Sequence, residues 1–538
     1  MVKRYWWQQG VVYQIYPRSF KDSNGDGIGD LEGIIQKLDY LNDGTASSLG
    51  VDAIWISPFY PSPMADFGYD VSDYCDVDPI FGDLATFNGL VAECQRRGIK
   101  VIIDYVPNHT SDQHPWFRAS RANRNNPKRE WYIWRDAKPG GGMPNNWGSM
   151  FGGPAWTWDE ASGQYYFHQF LKEQPELNWR NPEVRAAMID VLHFWLRRGV
   201  DGFRMDVVAM LIKDAELRDN PPNATSFPSL HPDDLFGRQL HAFNEDQDEV
   251  HEIIREFRQV LDQYQDRVAI GELFYDLSRW VRYYGVNGDG LHLPSNFRLM
   301  NISWQASAIR QSVDEFEAAL PSFGWPNYVL GNHDQPRLAS RIGAEQTRVA
   351  AMLLLTLRGT PTLYYGDELG MENGKIGPDQ MQDPQGKRLG VERTRDVCRT
   401  PMLWDGGPQA GFSSGEPWLP VAADYAVRNV ATQDEDERSL LNLYRQLIWL
   451  RKRTPALLAG SYRSLETASE RIAIAIRSHT DGDYLVALNF SGQEQRIQIG
   501  QAAGGRIVLS TLLDHHETIS NGSLVLRPNE GLLIALVA

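Results

Sequence analysis

Three acids, each at the end of an apolar run, carry the chemistry of this sequence. Asp206 closes "GVDGFRMD", Glu272 follows "RVAIG", and Asp334 closes "NYVLGNHD". One acid in such a place serves equally well as a helix cap or an ion-pair partner. Three at equivalent places, each beside other polar groups, point instead to a shared pocket. Arg204 lies two residues before Asp206, so on an extended strand the two side chains share a face. A guanidinium there is expected to keep Asp206 ionised, as a nucleophile requires. Glu272 lies in an apolar run, which is expected to raise its pKa and suit it to general acid catalysis. His109, in "DYVPNHTSD", and His333, just before Asp334, lack the i,i+4 partner of a helical metal motif. Both read as hydrogen-bond donors to a ligand or to the backbone.

A second polar constellation is "DSNGDGIGD", residues 22–30, with acids or an amide at its first, third, fifth and ninth places. It resembles the front of a calcium loop. An EF-hand needs a bidentate glutamate at its twelfth place, and Gly33 stands there. The stretch also follows a strand-like run where an EF-hand has a helix. A calcium sensor is therefore excluded.

These groups need a frame that brings them together. Seven runs, 11–16, 51–57, 100–106, 200–208, 267–274, 326–334 and 360–368, are β-branched or aromatic and largely apolar, which suits strands buried on both faces of a parallel sheet. A weaker run, "GLHLPSNFRLM" at 290–300, stands where an eighth is wanted. Helical stretches fill the gaps. The clearest spans Pro182 to Arg198, with Asn181 as N-cap and Gly199 just past its end. Its Val184, Met188, Val191, Trp195 and Leu196 share one face. Alternation of this kind fits a (β/α)8 barrel, with the acids at the C-terminal ends of the strands, or a doubly wound sheet. Residues 105–178 read as an irregular inserted subdomain, leaving 1–104 and 179–455 for the barrel; 456–538 alternate like an antiparallel β-sandwich.

Bulk properties narrow the function. A formal net charge of −16 disfavours nucleic acid and anionic membranes as partners. No apolar run reaches the ~18–20 residues of a membrane span, and the first residues lack a secretory apolar core. Three cysteines at scattered spacings imply neither a disulfide framework nor a zinc site. A cytoplasmic protein, monomer or homodimer, is expected.

The blocks "DYVPNHTSD", "QPELNW", "GVDGFRMDVV", "GEL", "GNHD" and "GTPTLYYGDELG", in this order, resemble those of the α-amylase family, glycoside hydrolase family 13. "DFGYDVSDY", "CRTPMLW" and "GFSSGEPWLP" resemble its α-glucosidase and oligo-1,6-glucosidase branch. The likeness runs from about residue 5 to 455 and decides for the barrel. It implies Asp206 as nucleophile, Glu272 as general acid/base, and Asp334 as the residue holding the sugar's 2- and 3-hydroxyls. It further implies His109, Arg204 and His333 around the cleaved glucose, and Asp66 with Arg399 clamping its 4-hydroxyl end. Tyr69 would stack beneath the ring, with Phe151 and Phe167 as aromatic walls. Closure at Asp66 and Arg399 implies exo-action, and the retaining template implies a covalent glucosyl-enzyme attacked by water or an alcohol. Similar loops in the branch hold a structural ion, so Asp22, Asn24, Asp26, the Ile28 carbonyl and Asp30 are expected to bind Ca²⁺ or Mg²⁺. No organic cofactor is expected.

Linkage is where two signals compete. The resemblance associates Val207, next to the nucleophile, with α-1,6 bonds. The long Pro-rich stretch 211–237, beginning near "DAELRDNPP", resembles enzymes of short α-1,4 substrates and reads as a lid. Giving the loop more weight, the expectation is an α-glucosidase acting on maltose-like substrates, with transfer to alcohol acceptors. An oligo-1,6-glucosidase, or a transglycosylase such as sucrose isomerase or trehalose synthase, is the alternative.

Overall fold

The computed structural model describes residues 4–225, 231–467, 469–498, 504–514, 518–519 and 523–537. Eight parallel strands lie in the order expected of a barrel. Val12–Ile15, Ala53–Ile56, Lys100–Tyr105, Gly202–Met205, Val268–Gly271 and Leu293–Pro294 run side by side in chain order, and Asn327–Val329 and Thr360–Tyr364 complete the sheet on the other side of the first strand. A parallel bridge between Asn296 and Tyr328 brings the two ends of the sheet together. The sixth strand, the weakest in sequence, is also the shortest. Pro294 lacks the N–H that would extend its ladder; beyond it Ser295 donates to the Gly271 carbonyl at 2.8 Å and Asn296 bridges to Tyr328. Four of the strands are buried along their whole length in four-residue spans, which is why they are largely apolar rather than alternating.

The helix after the third strand spans Pro182–Arg197; the Asn181 side chain accepts from the Glu183 N–H and proline takes the first helical place. Val184, Met188, Val191, Trp195 and Leu196 are all buried. Between strand three and this helix, Trp134–Arg135, Trp156–Asp159 and Gln164–Phe167 form a three-stranded antiparallel sheet beside the helix Pro115–Ala122. An antiparallel bridge between His109 and Glu176 joins the two ends of this excursion. Under it lies Lys213, buried, whose ammonium donates to Asn108 Oδ1 at 3.0 Å and to the Met210 carbonyl, and pairs with the Glu176 carboxylate. A buried ammonium is tolerated only with such partners.

Towards the C-terminus a six-stranded and a two-stranded antiparallel sheet face one another across Ile474, Leu485, Ile497, Leu524 and Leu526. Asn521–Gly522, a dipeptide that reads as a hairpin turn, lies outside the described residues. Among the described residues no helix is long and apolar enough to cross a membrane.

Candidate active site

A cavity of about 360 Å³ opens at the C-terminal ends of the barrel strands, lined by Asp206, Glu272 and Asp334 with Asp66, Tyr69, His109 and His333. Asp206 directly follows the fourth strand and Glu272 the fifth. Asp334 is reached differently: its strand stops at Val329 and a loop carries the acid inward.

Arg204, itself buried, ties the floor together. Its Nη1 lies 2.6 Å from Asp206 Oδ1 and 3.0 Å from Asp104 Oδ1, and its Nη2 lies 2.7 Å from Glu272 Oε1. Asp104, on the third strand, also accepts from Trp55 Nε1 and the Tyr69 hydroxyl, both at 3.1 Å. Three carboxylates thus share one guanidinium. Arg204, expected to keep Asp206 ionised, does pull that way, but it is opposed. Burial drives the Asp206 carboxyl well above its usual range, and Glu272 and Asp104 push the same way against the pull of Arg204. Asp104 is raised to about 6, by burial first, with Arg204 opposing.

Val207 departs from ordinary backbone. Its φ of 36° and ψ of 41° are left-handed, which costs a β-branched residue about 1–3 kcal/mol. In this conformation its N–H donates to Glu272 Oε2 at 3.0 Å, and its side chain packs with Phe151, Phe170 and Met210 on the cavity wall.

Asp334 is held by cations. Arg399 Nη2 is 2.9 Å and Arg395 Nη1 3.4 Å from its Oδ1, and His333 Nε2 is 3.2 Å from Oδ2. Burial works against ionisation here, but the charges of Arg399 and Arg395, with the neighbouring His333 ring in contact, outweigh it and hold the carboxyl well below the usual range. Burial also drives the His333 pKa far below its ordinary value, so the imidazole is neutral and the two guanidinium groups supply the attraction. His333 stacks on Tyr69 at 5.4 Å and 3°, with the Tyr69 hydroxyl 2.6 Å from its Nε2. His109 is likewise neutral, its pKa lowered to about 3 by burial; its Nε2 lies 3.1 Å from the Tyr69 carbonyl.

At the blocked end the arginine differs from the expected one. Arg395, not Arg399, reaches Asp66, with Nη2 2.7 Å from Oδ1. The same guanidinium meets Asp383 at 2.6 Å. Arg399 is fully buried beneath Asp334, donating from Nε to the His333 carbonyl at 2.8 Å. The 3-10 turn Arg395–Cys398 separates the two arginines by about one turn, so one meets the cavity while the other supports its floor. Asp66 is fixed further by Gln174 Nε2 at 3.0 Å and by Asp70, whose carboxylate accepts the Asp66 and Ala65 N–H groups at 2.9 Å.

One aromatic wall is also corrected. Phe151 lines the cavity, but Phe167 packs against Trp147 and Trp156 at 5.2 and 5.1 Å and does not reach it. Phe167 ends a strand whose pairing turns it into the inserted sheet's own core; Phe170, past the strand end, takes the wall position and meets the His109 ring at 5.0 Å. Phe274, exposed and stacked on Phe297 at 4.7 Å, stands at the mouth. Sequence reasoning missed Asp104, Arg395, Asp383, Gln174 and Phe170. Arg395 and Gln174 lie inside or beside motifs already singled out, so the signal was present.

Among the described residues of 211–237, none lines the cavity; 226–230 lie outside the described residues. The loop acts on the cavity at second hand: Asp234 pairs with Arg393 at 3.0 Å, and Arg393 lines the wall.

In the 22–30 loop each Asx side chain caps a later N–H: Asp22 to Asn24 and Gly25, Asn24 to Asp26, and Asp26 to Ile28. Asp22 also accepts from Gly27 and Ser413, and Asp30 from Ser23 and Gly33. The all-oxygen donor set fits a hard cation in type, with open lone pairs at Asn24 and Asp26, but Asp22 is fully engaged. Among the described residues no three acids, histidines or cysteines converge as a metal cluster.

The family model for the α-amylase catalytic domain matches residues 14–460. A probable α-glucosidase of Rhizobium meliloti (strain 1021) is 42% identical over 533 residues, covering 95% of each chain. An oligo-1,6-glucosidase of Parageobacillus thermoglucosidasius is 38% identical over 528 residues, 91% of each. A solved α-glucosyl transfer enzyme superposes with a TM-score of 0.93 at 40% identity, covering 99% of this chain and all of that one.

Proposed function

The chain belongs to the α-amylase family, and from that premise we propose that it is a retaining, exo-acting α-glucosidase releasing terminal glucose from short α-1,4-glucosides such as maltose. The closed end of the cavity carries this reading: the Asp66–Arg395 pair stands where a longer glucan would have to pass. One terminal ring fits against it, and the bond to be cleaved then lies over Asp206 and Glu272.

Asp206 attacks the anomeric carbon while Glu272 protonates the departing oxygen; Glu272 then takes a proton from the incoming water. Both carboxylates touch one guanidinium, which supports the close spacing of retaining enzymes, ~5–5.5 Å, over the wider gap of inverting ones. In this reading Asp334, held ionised by Arg399 and Arg395, takes the 2- and 3-hydroxyls as the ring flattens. The apolar wall of Phe151, Phe170, Val207 and Met210 suits an alcohol as a competing acceptor, and the α-glucosyl transfer neighbour supports transfer.

One observation favours a second reading. Val207 lines the cavity itself, whereas the loop after it acts only through Arg393, so isomaltose-type α-1,6 substrates are the alternative. An NMR time course with maltose and, separately, isomaltose decides. Early α-glucose from maltose supports the first reading, and faster cleavage of isomaltose the second. β-Glucose as first product would sink the retaining mechanism.

A further inference from the structure

We propose that Gln14 is a positioning residue for His333: its side-chain amide donates to Nδ1 and holds the imidazole in the tautomer that carries its hydrogen on Nε2. The tautomer follows from the contacts around the ring, and its use in catalysis rests on the α-glucosidase reading above.

Gln14 is the one polar side chain of the first strand, Val12–Ile15, apart from the Tyr13 hydroxyl, and it is fully buried. It shares a strand face with Val12, which packs with Trp55, Ile102 and Ile270 from other barrel strands. The amide therefore sits in the barrel interior. Its Nε2 lies 2.8 Å from His333 Nδ1 and donates to Ser57 Oγ at 3.3 Å, while its Oε1 has no partner among the described residues. A buried oxygen without a partner costs stability. As a core residue Gln14 is a poor choice, so its gain lies elsewhere, at His333.

Each imidazole nitrogen has a single in-plane position, taken either by a hydrogen or by a lone pair. His333 Nε2 lies 3.2 Å from Asp334 Oδ2. Asp334 is ionised, in contact with Arg399 and Arg395, so a lone pair on Nε2 would face a negative oxygen. The hydrogen belongs on Nε2. A second hydrogen, on Nδ1, would make the ring a cation. Burial opposes that, and Arg399, Arg204 and Arg395 oppose it too, against the pull of Asp334. Nδ1 therefore keeps its lone pair, and the group beside it must donate. The Gln14 amide has an N–H to give at that place.

The choice propagates to the catalytic floor. With its hydrogen on Nε2, His333 donates to the Tyr69 hydroxyl oxygen at 2.6 Å, which leaves the Tyr69 hydrogen for Asp104 Oδ2 at 3.1 Å. Asp104 in turn meets Arg204, the guanidinium shared with Asp206 and Glu272. The opposite tautomer would draw the Tyr69 hydrogen to Nε2 and away from Asp104. It would also offer a lone pair, rather than a donor, to a sugar hydroxyl held by Asp334. Stacking on Tyr16 at 5.8 Å and on Tyr69 at 5.4 Å sets the plane of the ring. Gln14 settles which edge carries the hydrogen.

The tautomer is read in the wild-type protein by nitrogen NMR of isotope-labelled histidine rings. Nε2 couples to both carbon-bound ring hydrogens and Nδ1 strongly to only one, and a protonated nitrogen resonates far from one with a lone pair. The His333 ring is identified by its loss in His333→Ala. A protonated Nε2 with a bare Nδ1 is expected; a hydrogen on Nδ1, alone or together with Nε2, overturns the proposal. The part of Gln14 is read with Gln14→Met, which keeps the length of the side chain and deletes the donor. Its kcat/KM on 4-nitrophenyl α-D-glucoside is expected to fall roughly three- to tenfold, the worth of one neutral hydrogen bond. Tm is expected to hold or rise, since the unpaired oxygen goes with the amide. In a His333→Ala background the same substitution should change kcat/KM by less than about twofold. An equal loss in both backgrounds would mean that Gln14 acts on the barrel at large, and overturns its role. Were no α-glucoside turned over, the α-glucosidase reading would fall; the spectrum would still decide the tautomer, and the two backgrounds would be compared by their affinity for glucose.

Discussion

Arg395 is the residue on which the glucose-specific end of the cavity turns, and Arg395→Leu tests that directly. Its guanidinium meets Asp66 at 2.7 Å, Asp383 at 2.6 Å and Asp334 at 3.4 Å, all within a buried network. Removing one partner from a buried, hydrogen-bonded ion pair costs ~3–5 kcal/mol, because the remaining carboxylates stay desolvated without compensation. If Asp66 contributes only when oriented by Arg395, that loss falls on the transition state, at about one power of ten in kcat/KM per ~1.4 kcal/mol. A fall of two to three and a half powers of ten is expected.

Stability should show the same network through its pH dependence. Burial would raise Asp383, but Arg395 and Arg399 outweigh it and hold its carboxyl below the usual value. A depressed acid contributes stability that is present above its unfolded pKa, ~3.9, and lost as pH falls through the folded value. The deficit of Arg395→Leu in Tm is therefore at its full size above pH ~4 and shrinks only below it, as pH falls through the folded value. Arg399→Leu is the control, since Arg399 touches Asp334 and the His333 carbonyl but not Asp66. With a 4-deoxyglucoside the wild-type enzyme should lose the Asp66 contribution. Arg395→Leu should abolish the difference between natural and 4-deoxy substrates, and Arg399→Leu should keep it. The opposite pattern would refute the reasoning and restore Asp66–Arg399 as the clamp.

Two further outcomes follow from the polar networks away from the catalytic floor. Lys213→Met leaves Glu176 buried without its ammonium, so a lower urea midpoint from a loss of ~3–5 kcal/mol is expected, with partial recovery in the Lys213→Met, Glu176→Gln double variant; a double variant worse than the single one would show that the pair is not the source. For the 22–30 loop, Ca²⁺ at one hundred times its Kd should stabilise the chelator-treated protein by about 2.7 kcal/mol, and Asp26→Asn should remove the gain. A Tm indifferent to Ca²⁺ would mean that the Asx hydrogen bonds alone hold the loop.

The parts legible in the sequence were those with a short-range signature. Continuous apolar runs marked seven of the eight strands, the sixth being weak, and proline, asparagine and glycine bounded the 182–197 helix nearly to the residue. Asp206 and Glu272 were legible because they follow their strands directly. What escaped depends on distances between segments far apart in the chain. Asp66 and Arg395 are 329 residues apart, and nothing local separates Arg395 from Arg399 in "RTRDVCR" when both are arginines on one short turn. Phe167 and Phe170 differ for a similar reason: only the pairing of the inserted sheet decides which ring faces out of it. Protonation was misjudged most, because spacing put Arg204 beside Asp206 but could not show that Asp104 and Glu272 claim the same guanidinium. A residue pair read along one strand describes two charges; the barrel brings four together, and each acts on the others. The same holds for linkage. Val207 and the 211–237 loop cannot be weighed against each other from sequence, since one touches the cavity and the other reaches it through Arg393. An Arg393→Ala variant should therefore shift the maltose-to-isomaltose ratio only if the loop governs acceptor fit, and leave it unchanged if Val207 does.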